Sequence, residues 1–314
     1  MPDSSDPLTV HPLLHPFPSK STTDIAFNLT SRADAPPAIS TAFASLSATL
    51  TTKRAGLLSA LRSPASPEAA VSALRDYLSH ISLLSIDFSK VHLRTSTEGL
   101  AQVRAQQVST LLCASSPLRH LVSFTWNDVL LTPGSSNAVS DVLFEVASVL
   151  IATATWLATT CATLCKSDAK PHESVQAYGL LRQAAGLFSA AETTVLPLLG
   201  ASASADCHLG VVAGMTLHCL AEAQGITVLR AVKKGNQPGL IAGLAADTAQ
   251  LYRCDDDPVC VLRRCVYHMH MHRDSHKALA ACGYAHPPSS ALLLYLQYQA
   301  QCFEAYQHCY AGGV

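Results

Sequence analysis

From Val146 to Leu164 the chain carries no charged residue, and this run limits the possible folds more than any other stretch. As a helix it is about long enough to cross a bilayer. Two structures suit such a run: a membrane span, or a helix surrounded by other helices. Thr153, Thr155, Thr159, Thr160 and Thr163 dilute it, Glu145 sits at its edge, and no Lys or Arg cluster flanks it on one side only. The expected structure is therefore a helix buried on most sides inside a helical array.

Composition supports a large core. Of the 314 residues, 49% are hydrophobic and 14% charged, with a formal net charge of −1. An average soluble domain is roughly 25% charged. A chain this apolar is not disordered overall, and its balanced charge offers no electrostatic footprint for nucleic acid. Met1 to Pro18 is Pro-rich and lacks both a basic start and a long apolar core; it reads as a disordered tail rather than a signal peptide. Residue 2 is Pro, which argues against myristoylation, and Gly312-Gly313-Val314 holds no prenylation cysteine. The 11 cysteines are odd in number and irregularly spaced, as reduced thiols are. Asn28-Leu29-Thr30 fits a glycosylation pattern that has no meaning without secretion.

Thr23 to Leu29 alternates polar and apolar residues and reads as a short strand, the only convincing one. Ile39, Phe43, Leu46 and Leu50 share one stripe of a helix. After the break at Ser63–Pro67, Ser66 is placed to cap a helix with Pro67 in its first position, and that helix carries Leu74, Leu78, Ile81 and Leu84. Asp87 to Arg119 reads as mixed helix and loop, and Thr132 to Asn137 as a loop. Further helices are expected at Glu173–Leu198, Ala205–Lys234, Pro238–Tyr252, Pro258–Ala281 and Ser290–Ala311. Long helices on short connections imply a mainly α array of stacked neighbours with a small N-terminal β element. No fixed-period repeat marks a consensus solenoid.

Catalytic frames are missing: there is no G-x-S-x-G elbow, no phosphate loop and no G-x-G-x-x-G. Lys233-Lys234-Gly235-Asn236 reads as a basic helix end facing the carbonyl pole of the dipole. The sharpest metal candidate is the segment with Cys254, Cys260, Cys265, His268, His270, His272 and His276. In a helix His268, His272 and His276 would share a face. The segment has no H-E-x-x-H and no CxxC, and Arg263, Arg264 and Arg273 add positive charge, so a His-rich polar face explains it and no metal or cofactor is assigned. A partner surface is the other candidate. Leu240, Ile241 and Leu244, followed by Thr248 and Leu251, form an apolar stripe among small residues; it suits a docked helix and equally suits the core.

Three stretches together carry a family resemblance: Leu180-Leu181-Arg182-Gln183-Ala184-Ala185-Gly186-Leu187-Phe188, Cys219-Leu220-Ala221-Glu222-Ala223-Gln224-Gly225-Ile226-Thr227 and Pro238-Gly239-Leu240-Ile241-Ala242-Gly243-Leu244-Ala245. With Phe124 to Asp128, Phe144-Glu145, Trp156 and Cys309 to Gly312 in the same order, the chain resembles the BRO1 domain family, in particular its BROX-like branch. The resemblance implies an elongated, banana-shaped stacked-helix domain over residues 19–314, with a small N-terminal β element. It also implies a non-catalytic ESCRT adaptor, cytoplasmic and endosome-associated, whose groove receives the C-terminal amphipathic helix of an ESCRT-III core subunit. By position the partner contacts are Leu240, Ile241 and Leu244, Thr227 where ALIX-type relatives carry an aromatic, and Glu173 near an acidic position of relatives. Gly225 stands where the family usually has Glu. Relatives continue through further helices, so an array incomplete at its C-terminus is expected, with membrane association indirect. A His/Cys metal-binding helical protein and a truncated product without function are the alternatives.

Overall fold

The computed structural model describes residues 19–29, 37–62, 66–85, 116, 118–129, 136–165, 171–199, 204–253 and 288–311. The tail before residue 19, the expected helix at 258–281 and the His268, His272 and His276 group lie outside these residues, as does most of 87–119.

Helix α1, Pro37–Arg62, is followed by α2, Pro67–Ile81, and a 3-10 turn at Ser82–Ser85. The start of α2 follows from its sequence: Ser66 Oγ accepts the Ala69 N–H at 3.1 Å, and Pro67 occupies a position whose missing N–H costs nothing. Two short strands, β1 at Phe124–Asn127 and β2 at Ser136–Val139, pair antiparallel with Phe124 opposite Val139 and Asn127 opposite Ser136. The long helices α3, Val142–Leu164, and α4, Pro171–Ala190, come next; α4 passes through a π turn at Ala191–Val195 into a last turn at Leu196–Leu199. A 3-10 turn at Ala205–Cys207 leads into α5, Leu209–Lys233, then α6, Pro238–Arg253, and α7, Pro288–Ala311.

Each helix packs on the next: α1 on α2, α2 on α3, α3 on α4, α4 on α5, α5 on α6 and α6 on α7. This nearest-neighbour order makes a mainly α, solenoid-like stack with a small sheet on its N-terminal side. At its centre the uncharged run lies in α3, where 89% of the most apolar window is buried in protein. Of the diluting threonines, buried Thr153 and half-buried Thr159 donate their hydroxyls to the carbonyls of Val149 and Thr155, four residues back, at 2.8 and 2.9 Å, whereas the Thr155 hydroxyl is buried without a hydrogen bond among the described residues. Helix α5 is also long and apolar enough to span a membrane, and 72% of its window is buried. The described cysteines, Cys161, Cys165, Cys207, Cys219, Cys302 and Cys309, are free thiols.

Two β expectations need correction. Thr23 to Leu29 is not a strand, although its alternation is real: Phe27 and Leu29 are buried and their neighbours Ala26 and Asn28 are exposed. Its backbone donors turn to side chains of α1 instead of a ladder, Phe27 N–H to Thr51 Oγ1 at 3.1 Å and Leu29 N–H to Ser47 Oγ at 3.2 Å. Only Thr22, just before it, bridges Trp126 of β1. Conversely, Ser136 and Asn137, expected in a loop, are the first residues of β2. Its exposed positions alternate with half-buried ones, so polar side chains there cost nothing.

Buried ion pairs tie the small elements to the helices. Arg54 of α1 donates from Nε to Glu145 Oε1 of α3 at 2.8 Å, and the same carboxylate accepts Tyr77 Oη from α2 at 2.9 Å and Trp126 Nε1 from β1 at 2.6 Å. Arg54 also lies 5.7 Å from the Trp126 ring centre. Lys20 pairs with Asp206 at 2.5 Å, and Asp206 in turn accepts the Val129 N–H at 3.1 Å. Arg119 makes a bidentate pair with Asp141 at 2.7 and 2.6 Å, while Asp141 Oδ1 caps α3 by accepting the Leu143 N–H at 2.8 Å.

Candidate functional site

Helix α5 ends in a motif dictated by its sequence. Gly235 adopts φ of 64°, a left-handed conformation that a side chain disfavours, and this lets Asn236 N–H reach Ala231 O at 3.1 Å and Gly235 N–H reach Val232 O at 2.9 Å. The last turn carries Arg230 and Lys233 at its negative pole. Pro238 then opens α6 after a short turn, with the Gln237 carbonyl accepting the N–H groups of Leu240 and Ile241 at 3.0 and 3.2 Å.

This tight turn leaves an open groove of about 250 Å³ lined by Thr227, Arg230, Ala231 and Lys234 of the α5 end, Asn236 of the turn and Leu244 of α6. Thr227 and Leu244, singled out from the sequence, thus meet at one site. Leu240 is 51% exposed, one of the most exposed large apolar side chains among the described residues, and lies one helical turn before Leu244. The Thr227 hydroxyl is turned back onto the Ala223 carbonyl at 3.2 Å, which leaves its methyl as the apolar part of the wall. Arg230 and Lys234 make the rim basic, a feature that the apolar pattern did not point to; their i, i+4 spacing on the helix bearing Thr227 was the available signal.

The apolar stripe of α6 divides between two faces. Successive helical residues turn by about 100°. Ile241 is 2% exposed and Thr248 fully buried, both on the face with Ala245, Ala249 and Tyr252 that packs inward. Ile241 is therefore a core residue and not a surface contact, a correction to its expected role. Thr248 tolerates burial by donating its hydroxyl to the Leu244 carbonyl at 2.7 Å. Glu173 lies in the first turn of α4, half-buried, and is not among the residues lining the groove. No group of three or more metal-ligating side chains occurs among the described residues.

The family model of BRO1-like domains matches residues 110–312. The chain is similar to BRO1 domain-containing protein BROX of Xenopus tropicalis, 32% identical over 148 residues, covering 46% of this chain and 36% of that protein. It is similar to the Homo sapiens protein of the same name at 33% identity over 144 residues, 45% of this chain and 35% of the relative. The matched stretch thus spans about a third of these relatives. In three dimensions the chain resembles the BRO1 domain of an ALIX BRO1 CHMP4C complex with a TM-score of 0.61 and 16% identity, over 95% of this chain and 72% of that one. A Bro1 domain structure addressing endosomal targeting also matches with a TM-score of 0.61, at 17% identity over 96% of this chain and 70% of the other.

Proposed function

We propose that this chain, which belongs to the BRO1-like domain family, is a non-catalytic adaptor whose groove between the end of α5 and the start of α6 receives the C-terminal amphipathic helix of an ESCRT-III subunit. The observation that carries the reading is the pairing of an exposed Leu240 with an open groove walled by Leu244 and Thr227. An apolar side chain at 51% exposure beside a concavity is what a helix-in-groove partner uses as an anchor. The fold neighbour in which an ALIX BRO1 domain is complexed with CHMP4C supports the choice of partner class. The basic rim of Arg230 and Lys234 favours a partner helix with carboxylates flanking its apolar face. In this reading the adaptor works in the cytoplasm at endosomal membranes, which it reaches through its partner.

The test is a titration of a fluorescent ESCRT-III C-terminal peptide into the purified chain and into Leu240→Asp/Leu244→Asp. Loss of an apolar anchor and burial of a new charge are expected to weaken binding by about 2 kcal/mol or more, roughly thirtyfold. Equal affinity of the two proteins, or no saturable binding to the folded chain, would remove the groove assignment.

A further inference from the structure

The groove uses the ends of α5 and α6; a second constellation lies in the interface these helices make with α7. Glu222 of α5 is 3% exposed, and its Oε1 accepts the Tyr295 hydroxyl of α7 at 2.6 Å. Tyr252 of α6 lies beside the same carboxyl, close enough to shift its ionisation. His218, one turn back on α5, brings Nε2 to 3.8 Å from Oε1, and its ring meets Tyr252 and Tyr295 edge-on at 6.5 and 6.0 Å. Beneath this cluster Phe303 of α7 stacks on Tyr252 at 5.9 Å and lies where a side chain at Gly225 would be: a Cβ there would meet the ring at 2.9 Å. Glu222 thus joins three helices, and Gly225 admits α7 to close approach.

We propose that Glu222 is a proton-operated latch for α7: the neutral carboxyl holds the helix against α5 and α6, and ionisation loosens it. Among the described residues, the other titratable groups around Glu222 are the thiols of Cys161 and Cys165 of α3 and Cys219 of α5, which its negative charge would hold protonated, besides His218, Tyr252 and Tyr295. Among these, only His218 can supply a cation. Burial pushes the Glu222 carboxyl up to about 7 against the lowering effect of the Tyr295 hydrogen bond and of Tyr252 beside it. With α7 released, the carboxyl would be hydrated and would ionise in the ordinary range near 4.3. Between these values the docked state binds the extra proton, so docking is strongest at low pH and weakens as pH rises towards 7. A latch governed by a buried neutral His218 would show the opposite slope, because that ring would take up a proton on release.

Amide hydrogen exchange of the whole chain, corrected for intrinsic rates, tests this independently of any groove partner. The opening constant of the α7 amides is expected to rise on the order of tenfold or more from pH 5 to pH 7. Glu222→Gln, which keeps an acceptor for Tyr295 but cannot ionise, is expected to flatten that dependence. Tyr295→Phe is expected to raise α7 exchange at pH 5 and to keep the slope. A flat profile in the unmodified chain, a slope of opposite sign, or a slope surviving in Glu222→Gln would overturn the proposal.

Discussion

The two ends of the stack solve the same problem differently. On the N-terminal side Glu145, Asp141 and Asp206 are buried beside the buried cations Arg54, Arg119 and Lys20. In α5–α7 the buried carboxyl among the described residues is Glu222, met by the Tyr295 hydroxyl, with Tyr252 beside it and the His218 ring nitrogen at 3.8 Å. Charge pairing fixes the geometry of a frame and makes any single loss costly. Hydroxyl partners leave the carboxyl free to change protonation, and aromatic packing against Gly225 lets α7 sit close without an ionic pin. The difference suggests a rigid half that positions α3–α5 and an adjustable half that carries the groove.

The largest effect is expected from breaking the frame. Glu145→Ala would strand the Arg54 guanidinium and leave Tyr77 Oη and Trp126 Nε1 without their acceptor, at a cost of about 3–5 kcal/mol in urea denaturation. Phe303→Ala, on the other side, is expected to cost about 3 kcal/mol through the cavity left against Tyr252 and Gly225. If Phe303→Ala also raised amide exchange around Arg54 and Glu145, the contrast between the halves would weaken. Gly225→Ala should cost about 1 kcal/mol, since the Cβ meets the far edge of a ring that can tilt. The smallest stability change is expected for Leu240→Asp, within about 0.5 kcal/mol, because half of that side chain is already in water. A larger loss on that substitution would make Leu240 structural.

The sequence exposed the helical part of this design wherever a local signal existed. Ser66-Pro67 and Pro238 mark helix starts that need only neighbouring atoms to explain them, and the uncharged run up to Leu164 is met by a helix largely buried in a stack. The β element was misplaced because alternation records burial, not hydrogen-bond partners: Thr23 to Leu29 alternates as a strand does, yet its donors end on Ser47 and Thr51 of a helix. The ion pairs were illegible for a related reason, since Lys20 and Asp206 are separated by 186 positions and neither has a local pattern. At the groove, Leu240 and Leu244 followed from apolar spacing and family resemblance, whereas Ile241 could be assigned inward only once α5 and α7 fixed which face of α6 was covered.

Docking in the α5–α6 groove is testable by mapping hydrogen exchange before and after adding a saturating ESCRT-III C-terminal helix peptide. New protection is expected at 227–236 and 240–251, with the frame around Arg54 and Glu145 unchanged. Protection elsewhere in the stack, with none at the groove, would contradict it.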